Sequence, residues 1–438
     1  MADCKTKRLS LRTIGCRLNQ YETEKMAADL APYGFIRTGP DELADLYIIN
    51  TCTVTHRADA DARYYIRHAA RQNPEACIVV SGCFVDKDPG YVEGLEPVDV
   101  IIRNSEKARI AEILSDRLPD MFSGEPDKGC STDVTDFFGH NRAWIKISDG
   151  CNQWCSFCIL PTVRGRLRNR EPLEIISEVN RLVEAGYHEI VLTGIHLGHY
   201  KNRKSSPQVK NLAALCRMIL RETDIARIRL SSIEPQTVRD DLVNTYASSG
   251  GRICRHWHIP LQSGSSRILR AMQRPYDQNV YIKRVEAVRR AVPNTTIGAD
   301  VIVGFPGETE EDFARTLRLA ESGLIDYLHV FSYSDRPGTV AEELAQKVDP
   351  AVIKERNAIL TRLSNRLRSR ALKRQVGLCL GVISEQKPDR DGDYHYAISD
   401  NYMKVKLPPG HIGGRGITIV RVLRSHETYV EGGVVAPS

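Results

Sequence analysis

Residues 149–161 read DGCNQWCSFCILP and carry three cysteines, Cys151, Cys155 and Cys158, separated by three and then two residues. Three thiolates on so short a loop can wrap one small inorganic centre. A structural zinc takes four ligands in a tetrahedron, and a [4Fe–4S] cluster normally takes four cysteines. Either way the loop is one ligand short. For zinc, His140, His196 or His199 would complete the set. For a cluster, one iron stays open, and the amine and carboxylate of an amino acid fit such a position.

Around this loop the apolar runs alternate with helical periods. Strands are expected at 144–147, 189–192, 227–230, 257–260, 296–303 and 327–331, with helices at 173–185, 212–221, 236–248, 281–291 and 310–321. Six such units predict a partial (β/α)6 barrel, because an eight-unit barrel needs about 250 residues. The cysteine loop follows the first strand, at the mouth where such barrels keep their chemistry.

Upstream, short apolar strands at 8–14, 46–50, 77–81 and 98–103 with helices at 21–30 and 58–72 predict a parallel α/β sheet. Cys16, Cys52 and Cys83 each follow one of the first three strands. The carboxyl ends of parallel strands share one edge, where ligands bind, so these three distant thiols can converge on a second three-cysteine centre. The alternative is three small buried residues, as free cysteines often are. Cys77 starts its strand and is expected in the core. Cys4, Cys130, Cys216, Cys254 and Cys379 have no Cys or His at ligand spacing and read as structural or incidental. Residues 119–140, rich in Gly, Pro, Ser and Asp, read as a linker.

Downstream, residues 351–374 form a basic helix, and the tail alternates in short runs separated by Gly and Pro, which predicts a small antiparallel β-barrel. The organisation expected is therefore an N-terminal α/β domain (1–118), a linker (119–140), a partial barrel (141–370) and a β module (371–438).

The 438 residues include 12 cysteines, and the net charge is +6. With no apolar segment near the N-terminus, a secretory signal is not expected, and twelve cysteines without one point away from a disulfide scaffold and toward metal or thiol chemistry in the cytoplasm. No apolar run approaches the ~18 residues of a membrane span. The charge is uneven: residues 351–380 sum to +7 and the rest to −1. Four arginines in 161–170 and five Lys or Arg in 401–426, neither stretch holding an acid, add to a pattern suited to phosphate. A solvated helix face accounts for the same charges without RNA.

The spacing of Cys151, Cys155 and Cys158 resembles that of the radical S-adenosylmethionine (SAM) enzymes. That resemblance implies a [4Fe–4S] cluster whose open iron binds SAM, with SAM contacts at the strand ends Gly194, Ile195 and His196, at Gln262 and Ser263, and at Asp300 and Gly304. The whole layout resembles the radical-SAM methylthiotransferases. It implies a second, auxiliary [4Fe–4S] cluster on Cys16, Cys52 and Cys83 and an RNA-binding TRAM-like tail. Pro161, Arg164, Gly165 and Arg170 are similar to the family segment after the cluster loop, with Asn169 in place of the usual Ser. No side chain is singled out as catalytic. Residues 15–23 (GCRLNQYET) and 50–55 (NTCTVT) look most like the branch that modifies C2 of threonylcarbamoyl-adenosine beside the tRNA anticodon. The isopentenyl-adenosine and ribosomal-protein aspartate branches are the alternatives. The implied partners are the tRNA anticodon loop, through Arg164, Arg366, Arg370, Lys404, Lys406 and Arg421, and an electron donor such as flavodoxin or ferredoxin, with no membrane.

Overall fold

The computed structural model describes residues 7–39, 42–202, 207–388, 395–408 and 414–435; Cys4 lies outside them. The backbone groups into two compact units. The first comprises residues 1–136, 149–153 and 158–167, the second residues 137–148, 154–157 and 168–438.

In the first unit β1 (Lys7–Thr13), β2 (Phe35–Arg37), β3 (Leu46–Thr51), β4 (Cys77–Gly82) and β5 (Val100–Ile102) form one parallel sheet in the order β2-β1-β3-β4-β5. The three-residue edge strand β2 has no counterpart among the expected strands, since so short a run shows no alternation. Every residue of β3 is buried, as befits a central strand covered on both faces. Tyr47 and Ile49 pack with Ala62, Ile66 and Ala69 of α2 (His56–Gln72). Leu46 and Ile48 pack on the other face with Met26 and Leu30 of α1 (Arg17–Leu30) and with Ile110 and Leu114. Cys77, expected in the core, is only half-buried, packed against the edge of that second core. The expected linker is partly structured: Phe122 joins the same core, while Phe137 is buried in the second unit, its N–H donating to Tyr187 Oη.

In the second unit, strands Ala143–Lys146, Glu189–Thr193 and Arg227–Leu230 form one parallel sheet, and His256–His258, Thr296–Val303 and Tyr327–Ser332 form another. Hydrogen bonds from Ile228 N to Arg252 O and from Cys254 N to Ile228 O join them into one six-strand arc. This is the expected partial barrel. The helix expected at 236–248 is shorter, a 3-10 turn Pro235–Thr237 followed by a helix Asp240–Ala247. The basic helix runs Pro350–Lys373 and lays Leu360, Leu363, Ser364 and Leu367 toward strand Tyr327–Ser332, where Ser364 Oγ bonds both Leu328 N and Leu328 O.

The tail closes into a five-strand barrel of Cys379–Pro388, His395–Ser399, Lys404–Lys406, Thr418–Ser425 and Val430–Val434. It is not wholly antiparallel: Lys404–Lys406 and Val430–Val434 pair parallel, which is how five strands close. This barrel is fixed to the starting ends of the arc strands. Fully buried Glu189 takes Arg227 at 2.7 Å and Arg229 at 2.8 Å. Those guanidiniums donate onward, Arg227 to Gly381 O and Arg229 to Ser399 O. Tyr402, equally readable as a base-stacking or a core residue, stacks on His256 under Arg229.

Replacing Glu189 by Ala leaves two buried guanidiniums without their carboxylate. The expected loss is about 3–5 kcal/mol of stability, read as a fall in the midpoint of chemical denaturation. Arg366→Ala, an exposed change, is expected within about 0.5 kcal/mol of the parent.

Candidate metal centres and cofactor site

The edge that collects Cys16, Cys52 and Cys83 follows from strand order. β1, β3 and β4 are neighbours, with Thr13 opposite Asn50 and Thr51 opposite Gly82. Cys16 is the cap of α1, Cys52 follows β3, and Cys83 opens α3 (Cys83–Lys87). Two glycines make the convergence possible. Gly15 has φ +106°, and a Cβ there would stand 2.6 Å from Cys52 Cβ. Gly82 has φ +102°, and a Cβ would stand 2.3 Å from Thr51 O. Only glycine tolerates both the dihedral and the contact.

All three thiols are free, Cys52 and Cys83 buried. Burial pushes the Cys52 thiol up to about 12. Cys83 Sγ accepts from Arg164 Nε at 3.3 Å and from Asn104 Nδ2 at 3.6 Å. Buried thiols with donors aimed at sulfur fit a thiolate-ligated centre, whose binding releases the thiol protons. The trio of ligand-type side chains that closes to single-ion spacing among the described residues contains no cysteine; it is His258, Asp300 and His329.

Arg164, expected at the RNA, is instead 3 % exposed. Besides Cys83 it bonds Glu22 Oε1 at 2.7 Å, Asn19 Oδ1 at 2.5 Å and Asp149 Oδ1 at 3.3 Å. Glu22 also holds Lys107 at 2.6 Å. A guanidinium so enclosed cannot reach a phosphate; its charge balances carboxylates and sulfur within the first unit.

The cysteine loop is divided between the units, Cys151 and Cys158 in the first and Cys155 in the second. In the first, Gly150 has φ +71° and lies against the carbonyls of Gly165 and Arg166, and Cys151 N donates to Gly165 O at 3.0 Å. In the second, Ser156 bonds Met272 O, Ala271 O and Ala341 N. Cys155 Sγ accepts from Arg274 Nη1 at 3.0 Å. Arg274 is itself paired with Glu234 and bonded to Tyr276. Each thiol set therefore has a buried guanidinium on one sulfur. The histidines that would have completed a zinc knuckle have other contacts: His140 lies edge-on to Trp144, and His196 and His199 face each other at 4.0 Å. Burial holds the His196 imidazole down to about 3, so it is neutral.

The expected SAM positions divide into two kinds. Ser263 is fully buried, with its hydroxyl shared by Thr316 and Ser265 N, and a Cβ on Gly304 would meet Ile353 at 2.3 Å. Gly194 presses on Ser148 in the same way. These three hold the strand ends in place. Gln262, at φ +61°, is a non-glycine in the left-handed region, and such backbone strain concentrates at functional sites. Asp300 Oδ1 lies 2.8 Å from His258 Nε2 and 3.4 Å from His329 Nδ1, and the two imidazoles hold its carboxyl well below the usual range. His329 is 48 % exposed and Ile195 half-buried, so this polar group is reachable.

His258, His329 and Arg274 went unassigned in the sequence. The available signal for His329 was strand register, since it pairs directly with Asp300. Of the expected RNA contacts, Arg366, Arg370, Lys404 and Arg421 are exposed and Lys406 is half-buried.

Residues 145–320 match the family model described as the radical SAM superfamily, and residues 8–103 match one described as uncharacterized protein family UPF0004. The chain is 35% identical over 436 residues to threonylcarbamoyladenosine tRNA methylthiotransferase MtaB of Bacillus subtilis (strain 168), covering 97% of this chain and 95% of that one. It belongs to the radical-SAM tRNA methylthiotransferases. The MtaB of Aquifex aeolicus (strain VF5) is 33% identical, over 91% of this chain and 96% of that one. The tRNA-2-methylthio-N(6)-dimethylallyladenosine synthase of Thermobifida fusca (strain YX) is 34% identical, over 89% and 80%. Among solved structures, the radical S-adenosylmethionine methyltransferase TsrM from Kitasatospora setae superposes with a TM-score of 0.56 at 14% identity, over 77% of each chain, a likeness of fold. Among the described residues no helix is long and apolar enough to cross a membrane.

Arg164→Met leaves Asp149 and half of Glu22 buried without countercharge. The expected cost is about 3–5 kcal/mol, measured as a lower denaturation midpoint of the full chain, with Arg164→Lys intermediate.

Proposed function

We propose that this enzyme adds a methylthio group to C2 of N6-threonylcarbamoyladenosine beside the tRNA anticodon. The observation that carries the branch is coverage: the alignment runs through 95% of the Bacillus MtaB but 80% of the Thermobifida dimethylallyladenosine enzyme, at nearly equal identity. C2 of adenine is an unactivated carbon that ordinary acid–base catalysis does not readily deprotonate, so one-electron chemistry is required.

Cys151, Cys155 and Cys158 hold the [4Fe–4S] cluster that binds SAM, and Cys16, Cys52 and Cys83 hold an auxiliary [4Fe–4S] cluster. When bound, these groups supply the radical and the sulfur; the protein supplies position and electrostatics. Arg274 and Arg164 place positive charge and N–H donors on one sulfur of each set. The reachable face around Gln262, Asp300, His258 and His329 offers SAM polar partners. Arg366, Arg370, Lys404, Lys406 and Arg421 face the RNA phosphates. Three parts divide the work: residues 1–118 for the auxiliary centre, 141–370 for SAM and 371–438 for RNA. The setting is cytoplasmic, with a flavodoxin or ferredoxin as electron donor.

Anaerobically reconstituted protein should bind about eight irons, four per cluster. Cys52→Ala should bind about four, still cleave SAM and make no methylthio product, while Cys155→Ala should abolish cleavage. Saturation of the parent at four irons overturns the auxiliary site. Nucleoside mass spectrometry of the product tRNA reads the base: a methylthio group on isopentenyl-adenosine in place of the threonylcarbamoyl base overturns the branch.

A further inference from the structure

Helix α2 begins at His56, four residues after Cys52, and has two unlike faces. Ala62, Ile66 and Ala69 are buried. Asp59 also turns inward, held by Thr53 and Lys87. The outer face carries Arg63, Arg67 and Arg71 at four-residue steps, about 6 Å apart along the axis, with Tyr64 among them at 54 % exposure. Arg57 lies six residues before Arg63, about 9 Å earlier along the axis, on the edge of the outer face next to Asp61. Ala60, Arg63, Tyr64, Arg67 and Arg71 line one open groove.

Surface arginines on a helix are usually matched by acids three or four residues away. Here Asp61 stands four residues after Arg57 and Asp59 four before Arg63, but Asp59 is turned inward on Thr53 and Lys87, and among the described residues none of Arg57, Arg63, Arg67 or Arg71 has a carboxylate within ion-pair distance. The helix's other acid, Asp61, sits on the flank of the stripe. Three guanidiniums in a row without an ion-pair partner raise the local potential and repel one another, an arrangement that a polyanion relieves. Tyr64 adds a ring against which a base or ribose can stack. The start of the stripe is fixed by the loop that carries Cys52, with Val54 exposed between them.

We propose that the outer face of α2 is a second RNA-binding surface, on which Arg63, Arg67 and Arg71 hold successive phosphates of the tRNA strand leading away from the target base and Tyr64 packs on that strand. The proposal rests on the tRNA reading above and extends it, because it gives the N-terminal unit a share in RNA capture that would otherwise fall to the basic helix and the C-terminal barrel. The helix rises about 21 Å from Arg57 to Arg71, long enough to follow several nucleotides.

The test is tRNA binding by the reconstituted full-length enzyme across a salt series. The triple variant Arg63→Ala, Arg67→Ala, Arg71→Ala should bind tRNA about tenfold or more weakly near physiological salt, and its log–log salt slope should shrink by about 2–3, one per lost phosphate contact. Arg67→Glu alone should weaken binding more than Arg67→Ala. Tyr64→Ala should weaken binding without changing the slope, since stacking releases no counterions. Iron content and SAM cleavage without tRNA should match the parent in every variant, because no substituted side chain belongs to the thiol or SAM sites. Parental affinity and slope in the triple variant overturn the surface, even where the parent methylthiolates tRNA. Weakened binding with no methylthio product from the parent leaves the surface standing and overturns the reading of the reaction.

Discussion

The guanidinium of Arg164 is the contact around which the first unit is organised. It is enclosed by Glu22 and Asn19 from α1, Asp149 from the start of the cysteine loop, and the sulfur of Cys83 at the end of β4. A buried charge is tolerable only when it is paired and hydrogen-bonded. That requirement pins three chain segments, far apart in sequence, to one point. The residue after Arg164 completes the arrangement: Gly165 O receives Cys151 N. A single dipeptide thus touches the sulfur of Cys83 through its side chain and the backbone N–H of Cys151 through its carbonyl. Arg274 supplies the same kind of donor to Cys155 in the second unit.

Much of the positive charge turns out to be internal wiring. Within the basic helix, Arg356 is buried on Glu308 and Arg368 lies over Tyr327, and just past its end Arg374 reaches Asp326. Arg227 and Arg229 serve Glu189 and the carbonyls of the C-terminal barrel. What remains at the surface is a smaller set of cations, on the helix at Lys354, Arg362, Arg366, Arg370 and Lys373, on the barrel strands, and on α2. Arginine suits both uses, being always charged and presenting a planar fork of donors. Sequence alone does not separate them, because a charge run looks the same whether its partner is a carboxylate of the same chain or a phosphate of another.

Small residues at strand ends have a similar double reading. Gly15 and Gly82 bring thiols together, whereas Gly194 and Gly304 make room for Ser148 and Ile353. Gln262 is one of five described non-glycine residues, with Gln273, Asn294, Gln346 and Tyr402, that occupy a backbone region favouring glycine. Asp300 beside it has two imidazole partners in reach.

Spacing and periodicity were enough to anticipate the parallel sheet, the arc, the terminal barrel and a Cys after each of three neighbouring strands, because these depend on local pattern: a Cys at each strand end, alternate apolar residues, a three-and-two cysteine gap. The family resemblance was legible for the same reason, being carried by contiguous motifs. Tertiary structure alone decided which arginines are buried, which strand-end residues are reachable, and that His258 and His329 flank Asp300. Those outcomes depend on pairs 15 to 170 residues apart, and no contiguous motif encodes such partners. The shift of Arg164 from expected RNA contact to buried countercharge shows the rule: its neighbours in sequence are basic, but its neighbours in space are Glu22, Asp149 and a sulfur.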